Sequence, residues 1–368
     1  MEKSICKPTL LLDEKKARKN IRRMIAKAKK SSVRFRPHFK THQSAIVGEW
    51  FRQAGTTAIT VSSVDMALYF AQQGWEDITI AFSVNLLQID QINVLAKQIS
   101  LHLLLESEES FKFLEENLAA PTKAWIKIDT GAGRTGIPAQ SSEEILALAK
   151  MLAQSRNLRL SGLLTHSGNT YQATSPEQIR EIYIDTVHKL SALRDLLNRA
   201  GLQPIEISIG DTPACSLVAD FSGVDEIRPG NFVFYDLTQL SLGSCSQAEI
   251  AAAAGCPVVA KHPEREIIVI YGGAVHLSKQ SLLQKDGTII FGAVAAQKDR
   301  GWGSLIPEAY LTSVSQEHGI VHVPPAMLQE TRIGDILTIL PVHSCLMVNL
   351  LRERTDNICS PPGLFKSL

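Results

Sequence analysis

The segment FRPHFKTHQS, residues 35–44, ends an apolar run and then places Lys40 between His38 and His42. A buried strand rarely contains this mixture of charged and imidazole side chains. A surface turn does not require it either. The segment therefore predicts the end of a strand at which chemically active side chains collect, and the rest of the chain has to show which fold presents them.

Similar short apolar runs recur through the first two thirds of the chain, separated by longer stretches with helical periodicity. We predict strands at residues 33–37, 57–61, 78–82, 101–105, 124–129, 160–165, 205–209 and 224–228. We predict helices at residues 44–54, 63–73, 86–98, 108–118, 142–154 and 176–200. Eight such units predict a parallel sheet covered by helices, and eight is the number that closes a (β/α)8 TIM-type barrel. An open doubly wound sheet is the alternative.

The pattern changes near residue 240, after which few segments have helical periodicity. Strand-like runs take over at residues 266–271, 288–291, 310–314, 319–323 and 335–340. They predict a second, mainly antiparallel β domain, to which the early segment PTLLLD, residues 8–13, could add a strand. We therefore expect a barrel domain at 13–240 and a β domain formed by 1–12 and 241–368.

Charge and composition exclude several classes of function. Lys and Arg number 38 against 37 Asp and Glu, which argues against a general nucleic-acid or membrane-surface role. The basic run at 15–30 has apolar residues at helical spacing and is interpreted as the wet face of an amphipathic helix. No signal peptide or membrane-spanning run is visible, and the six cysteines are scattered. We therefore expect a cytoplasmic protein with reduced thiols.

Unusual side chains follow the predicted strands at one end of the barrel, where active sites of this fold lie. They stand in four segments besides 38–42, at 129–136, 166–171, 210–213 and 228–231. Gly210 and Gly230 let backbone N–H groups approach an anion, and Thr212 adds a hydroxyl donor. A phosphate site together with Lys40 suggests pyridoxal phosphate (PLP) held as a Schiff base.

At these motifs the chain resembles the fold-type III PLP enzymes, the alanine racemase-like group, and within it the D-serine dehydratase and D-threonine aldolase branch. The resemblance rests on RPHFKTH, KIDTGAGRTGI, GLLTHSGNTY, SIGDTP and EIRPGNFVFYD. It implies catalytic roles for Lys40, Arg134, His166 and Tyr171. It implies cofactor contacts from Lys40, Arg134, His166, Gly210, Asp211, Thr212, Arg228, Gly230 and Asn231.

The segment ILPVHSCLMVN, residues 339–349, adds a candidate metal pair. On a strand, residues i and i+2 face the same way, so His343 and Cys345 could bind one ion together. Imidazole and thiolate suit Zn²⁺, and the resemblance implies the dehydratase His-x-Cys pair, with Mn²⁺ or Mg²⁺ as alternatives. The chain departs from the family pattern at Met347, where a threonine is usual, and at Tyr271 and Gln280, where acidic residues are common.

These features predict metal-assisted elimination of water from a small D-amino acid that carries a β-hydroxyl, which would turn D-serine into pyruvate and ammonia. Retro-aldol cleavage of D-threonine-like substrates is the nearest alternative. Racemisation and a non-catalytic PLP-binding role are further alternatives. The resemblance also implies a homodimer, while nucleic acid and membranes are not expected partners.

Overall fold

A computed structural model of the chain describes residues 5–298 and 301–352. These residues divide into two compact units, one holding residues 22–230 and the other holding those up to 21 and from 231 onward. No disulfide joins the five described cysteines. Cys359, the remaining cysteine of the sequence, lies outside the described residues, as do the first four residues and 353–368 of the predicted β domain.

The first two elements are strand β1 (Thr9–Leu12) and helix α1 (Glu14–Lys30). In α1, residues at helical spacing from Ala17 to Ala28 are buried, whereas most of its basic side chains are exposed. The interpretation of the basic run as the solvated face of an amphipathic helix is therefore confirmed.

The unit of residues 22–230 is a parallel β/α barrel. Its strands are β2 (Arg34–Phe35), β3 (Ile59–Val61), β4 (Asp77–Ser83), β5 (Ser100–Leu105), β6 (Thr122–Asp129), β7 (Ile137–Pro138), β8 (Leu158–Leu164), β9 (Glu206–Ile209) and β10 (Glu226–Ile227). Its further helices are α2 (Ala45–Gln53), α3 (Val64–Gln72), α4 (Ile89–Gln98), α5 (Glu108–Asn117), α6 (Ser142–Gln154), α7 (Pro176–Arg199) and α8 (Thr212–Leu217). The strands pair in the order β2-β10-β9-β8-β6-β5-β4-β3, with the short β7 beside β6.

The two edges of this sheet meet just after β2. His38 forms a parallel bridge with Thr60 of β3, and the Thr60 N–H donates to the Pro37 carbonyl at 2.9 Å. This closure confirms the TIM-type barrel and excludes the open doubly wound sheet. All eight predicted barrel strands are present, within a few residues of the predicted bounds.

The other unit is a closed antiparallel barrel. Its strands are β11 (Ala252–His262), β12 (Ile267–Tyr271), β13 (Leu282–Leu283), β14 (Ile289–Ile290), β15 (Gly292–Gln297), β16 (Trp302–Val314), β17 (His318–His322) and β18 (Ile336–Pro341). Its helices are α9 (Leu237–Ser241), α10 (Ala274–Leu277), α11 (Pro325–Glu330) and α12 (Ser344–Arg352). The order β11-β12-β17-β16-β15-β18 closes because β18 also pairs with β11.

The early segment predicted to add a strand here does so, because β1 pairs with β11 in antiparallel register. The mainly antiparallel β architecture is confirmed, but its longest helix, α12, and the strands β11 and β15 were not predicted. In the described part of the chain, no helix combines the length and apolar character needed to cross a bilayer.

Candidate functional site

Lys40 lies in a tight turn at the carboxyl end of β2. The turn, a 3-10 helix over Phe39–Thr41, buries Phe39 and Thr41 completely and leaves Lys40 half-buried between them. The backbone N–H of Lys40 donates to Nδ1 of His38 at 3.4 Å. Burial, followed by the positive charges of Lys40 and Arg228, holds the pKa of His38 well below its ordinary value. His38 is therefore neutral beside the lysine.

His42 has a different environment from His38, although the sequence places both next to Lys40. Its ring packs against the Phe39 ring with centroids 4.4 Å apart and stacks on Phe51. Its Nδ1 accepts the Ser44 N–H at 3.1 Å, and burial lowers its pKa to about 3. His42 is thus an uncharged core residue, and only His38 belongs with Lys40.

Several of the predicted site residues converge at the carboxyl ends of the strands. Nδ1 of His166, after β8, bonds the carbonyl of Gly210, after β9. Burial, then the positive charge of Lys40, holds the pKa of His166 well below its ordinary value. Lys40, His166 and Arg228 follow the carboxyl ends of the parallel strands β2, β8 and β10, so these side chains share one end of the barrel.

Gly210 and Gly230 stand where the backbone of neighbouring loops comes too close for any side chain. A Cβ at Gly210 would lie 3.0 Å from both Cβ and the carbonyl oxygen of Arg228. A Cβ at Gly230 would lie 2.9 Å from the carbonyl oxygen of His38. Beside Gly210, the hydroxyl of Thr212 is buried and has no hydrogen-bond partner in the described residues. The buried Thr212 hydroxyl is therefore a donor that a bound anion would satisfy.

Tyr171 and Asp211 support this loop. The phenol oxygen of Tyr171 accepts the backbone N–H of Thr212 at 3.4 Å, and its ring lies 6.2 Å from that of His166. Asp211 is buried and accepts the Ala214 N–H at 2.6 Å, so it caps α8. Burial raises the pKa of Asp211 to about 7. Its contacts shape the loop; the predicted cofactor contact of Asp211 stays a prediction.

Arg134 is presented by a loop built around Asp129, at the end of β6. One carboxylate oxygen of Asp129 accepts the backbone N–H groups of Gly131 at 2.9 Å and Ala132 at 2.8 Å. Gly136 has a φ of +107°, and a Cβ there would lie 2.7 Å from the Asp129 nitrogen. The glycines therefore allow a tight fold that leaves Arg134 exposed.

Arg228 is buried and held by a chain of hydrogen bonds through the barrel interior. Its Nε donates to Ser208 Oγ at 2.7 Å, and Ser208 donates to Glu226 at 2.7 Å. The other oxygen of Glu226 accepts from Arg36 Nε at 2.7 Å. Burial lowers the pKa of Arg228 to about 10, so the guanidinium stays protonated at neutral pH. Sequence reasoning identified Arg228 but missed this support.

We expect Glu226→Ala to destabilise the protein by about 1–3 kcal/mol, because the buried Arg36 keeps Asp77 but loses its second carboxylate, and Ser208 loses its acceptor. Burial would raise the pKa of Glu226, but the charge of Arg36 and its hydrogen bond hold it below the ordinary value. Glu226 therefore contributes to the free energy of unfolding above the carboxyl pKa of the unfolded chain, and this contribution is lost as the pH falls. Urea unfolding at several pH values checks this. Glu116→Ala, on the exposed face of α5, is the control and should be nearly neutral.

Lys127 is a further charged residue of the barrel interior that the sequence reasoning did not single out. It lies on β6, is 6% exposed, and faces the same side as the buried Trp125. Burial, then the charges of Arg228 and Arg134, lowers its pKa to about 7. Its position inside the apolar run AWIKID, residues 124–129, is the sequence feature that could have identified Lys127 as a buried charged residue.

The candidate metal pair lies in the antiparallel unit, and its predicted strand geometry is wrong. Strand β18 ends at Pro341, the chain bends at Val342, His343 directly precedes α12, and Cys345 stands in the first turn of that helix. His343 and Cys345 therefore bracket a helix start and do not share a strand face. In the described part of the chain, no group of three or more His, Cys, Asp or Glu could hold a metal ion.

Two neighbouring amides orient this pair. Nδ1 of His343 lies 2.7 Å from Oε1 of Gln280, so Nδ1 carries the proton and the lone pair is on Nε2. The side-chain amide of Asn231 lies 3.5 Å from Cys345 Sγ and donates to Asp236 at 2.6 Å. Asn231 was predicted to contact the phosphate of the cofactor. The hydrogen bonds of its side chain in the described residues all go to the antiparallel unit, so that contact stays a prediction.

The family model for the alanine racemase N-terminal domain matches residues 12–237. The chain belongs to this family. A second model, for a serine dehydratase domain, matches residues 251–355.

The chain is 28% identical to D-threo-3-hydroxyaspartate dehydratase of Delftia sp. (strain HT23), over 92% of this chain and 90% of that one. The solved structure of the Delftia protein superposes with a TM-score of 0.87, covering 93% of this chain and 92% of that chain. The chain is 26% identical to D-serine dehydratase of Dictyostelium discoideum, over 94% of this chain and 92% of that one. It is 22% identical to D-threonine aldolase of Arthrobacter sp., over 91% of this chain and 85% of that one.

Two solved mutants of a D-threo-3-hydroxyaspartate dehydratase concern a residue pair of the same spacing as His343 and Cys345. In one mutant a histidine is replaced by alanine, and in the other a cysteine two positions later is replaced. The cysteine mutant is in the metal-free form; it superposes with a TM-score of 0.87 at 27% identity, covering 93% of this chain and 92% of that chain.

Proposed function

We propose that this protein is a PLP- and metal-dependent lyase that eliminates water from small D-amino acids with a β-hydroxyl group. D-Serine would give pyruvate and ammonia. The observation that carries the proposal is that Lys40, His166 and Arg228 lie at the strand ends beside a loop whose buried Thr212 hydroxyl has no hydrogen-bond partner among the described residues. The named relatives are dehydratases and an aldolase of D-hydroxy amino acids, which is consistent with such a lyase.

The residues of the barrel fit PLP. The Thr212 hydroxyl, which is buried and has no hydrogen-bond partner among the described residues, suits its phosphate. Arg228 keeps Nη1 available, because its described hydrogen bonds use only Nε and Nη2, and we assign it to the pyridine nitrogen. Arg134 is assigned to the phenolate oxygen and His166 to the ring face, as the resemblance implies.

PLP, when bound through a lysine, supplies the electron-accepting ring that stabilises negative charge at the substrate α-carbon. Lys40 Nζ would hold the cofactor, and its free amine would take the proton from the substrate α-carbon. Arg228, which is protonated and fixed by Ser208 and Thr165, would face the pyridine nitrogen as a donor that keeps its own proton. His166 stays neutral and so does not add a positive charge beside Lys40.

The donor set of the antiparallel unit fits a borderline-soft divalent ion, and we propose Zn²⁺ held by Nε2 of His343 and Sγ of Cys345. The metal, when bound, supplies Lewis-acid stabilisation of the departing hydroxyl. Two protein ligands leave positions for water and substrate. Gln280 fixes the tautomer of His343, and Asn231 donates toward Cys345.

The experiment that tests this function is product analysis with purified holoenzyme and D-threonine. Elimination gives 2-oxobutyrate and ammonia in equal amounts, whereas aldol cleavage gives glycine and acetaldehyde. We expect the first pair, with D-serine giving pyruvate and ammonia in parallel. Glycine and acetaldehyde would instead establish the aldolase alternative, which the Arthrobacter relative supports. If no D-hydroxy amino acid gave either the elimination products or the aldol-cleavage products, both the lyase proposal and the aldolase alternative would be refuted.

We expect Gln280→Ala to weaken zinc binding by about 10- to 100-fold, because the His343 ring loses the acceptor that fixes its tautomer. Competition with a chromogenic chelator measures the metal affinity without any turnover. Gln284→Ala is the matched control, since that exposed glutamine has only backbone bonds in this region. Equal affinities for the two variants would contradict the assignment.

We also propose a homodimer, a cytoplasmic location, and domains at 13–240 and at 1–12 with 241–368. The homodimer follows from the resemblance and is tested by light scattering of the purified holoenzyme. The bounds of the two family matches, 12–237 and 251–355, are compatible with the proposed domains.

A further inference from the structure

The barrel has a second polar cavity at the amino ends of its strands, opposite the end that carries Lys40. Its volume is about 530 Å³, and residues from the starts of β4, β6, β8 and β9 line it. The charged side chains that line it are Arg34, Arg36, Asp77, Lys123, Arg159 and Glu206. None of these residues has a part in the proposed reaction.

The two carboxylates of this cavity are already paired. Glu206 accepts two hydrogen bonds from Arg34, at 2.5 and 2.6 Å. Asp77 accepts one from Arg36 at 2.6 Å and lies 3.0 Å from Nε2 of the buried His102. Together with Glu226, which also bonds Arg36, these carboxylates balance the two arginines.

Lys123 and Arg159 are the two cations left over. They are direct partners in the parallel register of β6 and β8, so their side chains leave the sheet on the same side. Within residues 5–298 and 301–352, neither makes an ion pair or a side-chain hydrogen bond. Like charges opposite each other on neighbouring strands are unfavourable. The cavity therefore has two positive charges that a ligand could neutralise.

We propose that this cavity binds a small multivalent anion, with Lys123 and Arg159 as its main ligands. The ligand would be one small molecule that carries two or more carboxylate or phosphate groups. Because the cavity lies at the strand ends opposite Lys40, the anion stabilises the barrel and takes no part in the reaction. The hydroxyl of Ser161 adds a hydrogen-bonding group to the lining, whereas that of Ser155 is engaged with Glu115.

Isothermal titration of the holoenzyme with citrate and with pyrophosphate tests the proposal. Tethered PLP occupies the phosphate site at the other end, but citrate and pyrophosphate also coordinate Zn²⁺, so only the binding that the double variant below loses reports the second cavity. We expect saturable binding of at least one anion and a rise in Tm that sodium chloride at equal ionic strength does not reproduce. Citrate alone would identify a carboxylate ligand, and pyrophosphate alone a phosphate ligand.

The double variant Lys123→Ala/Arg159→Ala should lose at least about tenfold in anion affinity, while Lys97→Ala/Lys150→Ala should bind as the wild type does. The control removes two exposed lysines from α4 and α6, outside the cavity, and so changes net charge equally. No saturable binding to wild type at 10 mM of either probe (about tenfold above a millimolar Kd), or equal losses in both double variants, would overturn the proposal.

Discussion

Lys40→Ala is expected to lower kcat/KM for D-serine by about a thousandfold or more, because one side chain both tethers the cofactor and moves the α-proton. The buried neighbours Phe39 and Thr41 fix the turn, so the variant should fold normally. Steady-state kinetics give the loss in activity. The visible absorbance of lysine-bound PLP should disappear from the purified variant.

Lys19→Ala is the control, since this lysine lies on the exposed face of α1. It should keep both the absorbance and the activity of the wild type. A Lys40→Ala protein that retains lysine-type absorbance would show that another lysine holds the cofactor. Lys127 would then be the first candidate, because its pKa of about 7 makes a free amine available near neutral pH.

Cys345→Ala is expected to lower elimination by about a hundredfold or more while leaving the PLP absorbance unchanged. The reason is that the thiolate is one of two protein ligands proposed for the metal, whose Lewis-acid contribution amounts to several kcal/mol. Zinc content, measured by atomic absorption on dialysed protein, should fall together with activity. Adding a strong chelator to the wild type should produce the same loss.

Cys6→Ala is the matched control, since Cys6 is exposed. It should keep both zinc and turnover. If Cys345→Ala lost zinc but kept full turnover, the metal would have no part in the reaction. If it kept zinc, Cys345 would not be a ligand.

The barrel was predictable because each of its strands is a short apolar run bounded by helical segments. The eight predicted runs correspond to β2–β6 and β8–β10, and the periodicity of α1 and α7 gave their bounds almost to the residue. Closure was not predictable, since it depends on a backbone bridge between His38 and Thr60 that has no sequence signature. The sequence therefore left the open sheet as an alternative.

The antiparallel unit was harder to predict for reasons that specific segments show. Strand β11 begins with AAAGC, in which the three alanines favour helix over strand and so disguise the strand. The run from Ile336 to Leu351 is almost continuously apolar, which hides the break where β18 ends and α12 begins. The strand-face argument for His343 and Cys345 failed at this break.

The site was predictable where a residue type is unusual for its position, as for Lys40, His166 and Arg228 at strand ends. The supporting contacts were not, because they join segments far apart in the chain. Ser208, on the neighbouring strand β9, accepts from Arg228 and donates to Glu226, and Gln280 contacts His343 from 63 residues away. His42 shows the converse: a histidine beside the key lysine that packs into the core.

The most direct test of this account is borohydride reduction of the purified protein followed by peptide mass spectrometry. Reduction fixes PLP covalently to whichever lysine holds it. We predict that the pyridoxyl group is found on the peptide containing Lys40 and on no other. Modification of Lys127 or of a surface lysine, or no modification of a protein that turns over D-serine, would contradict the central claim.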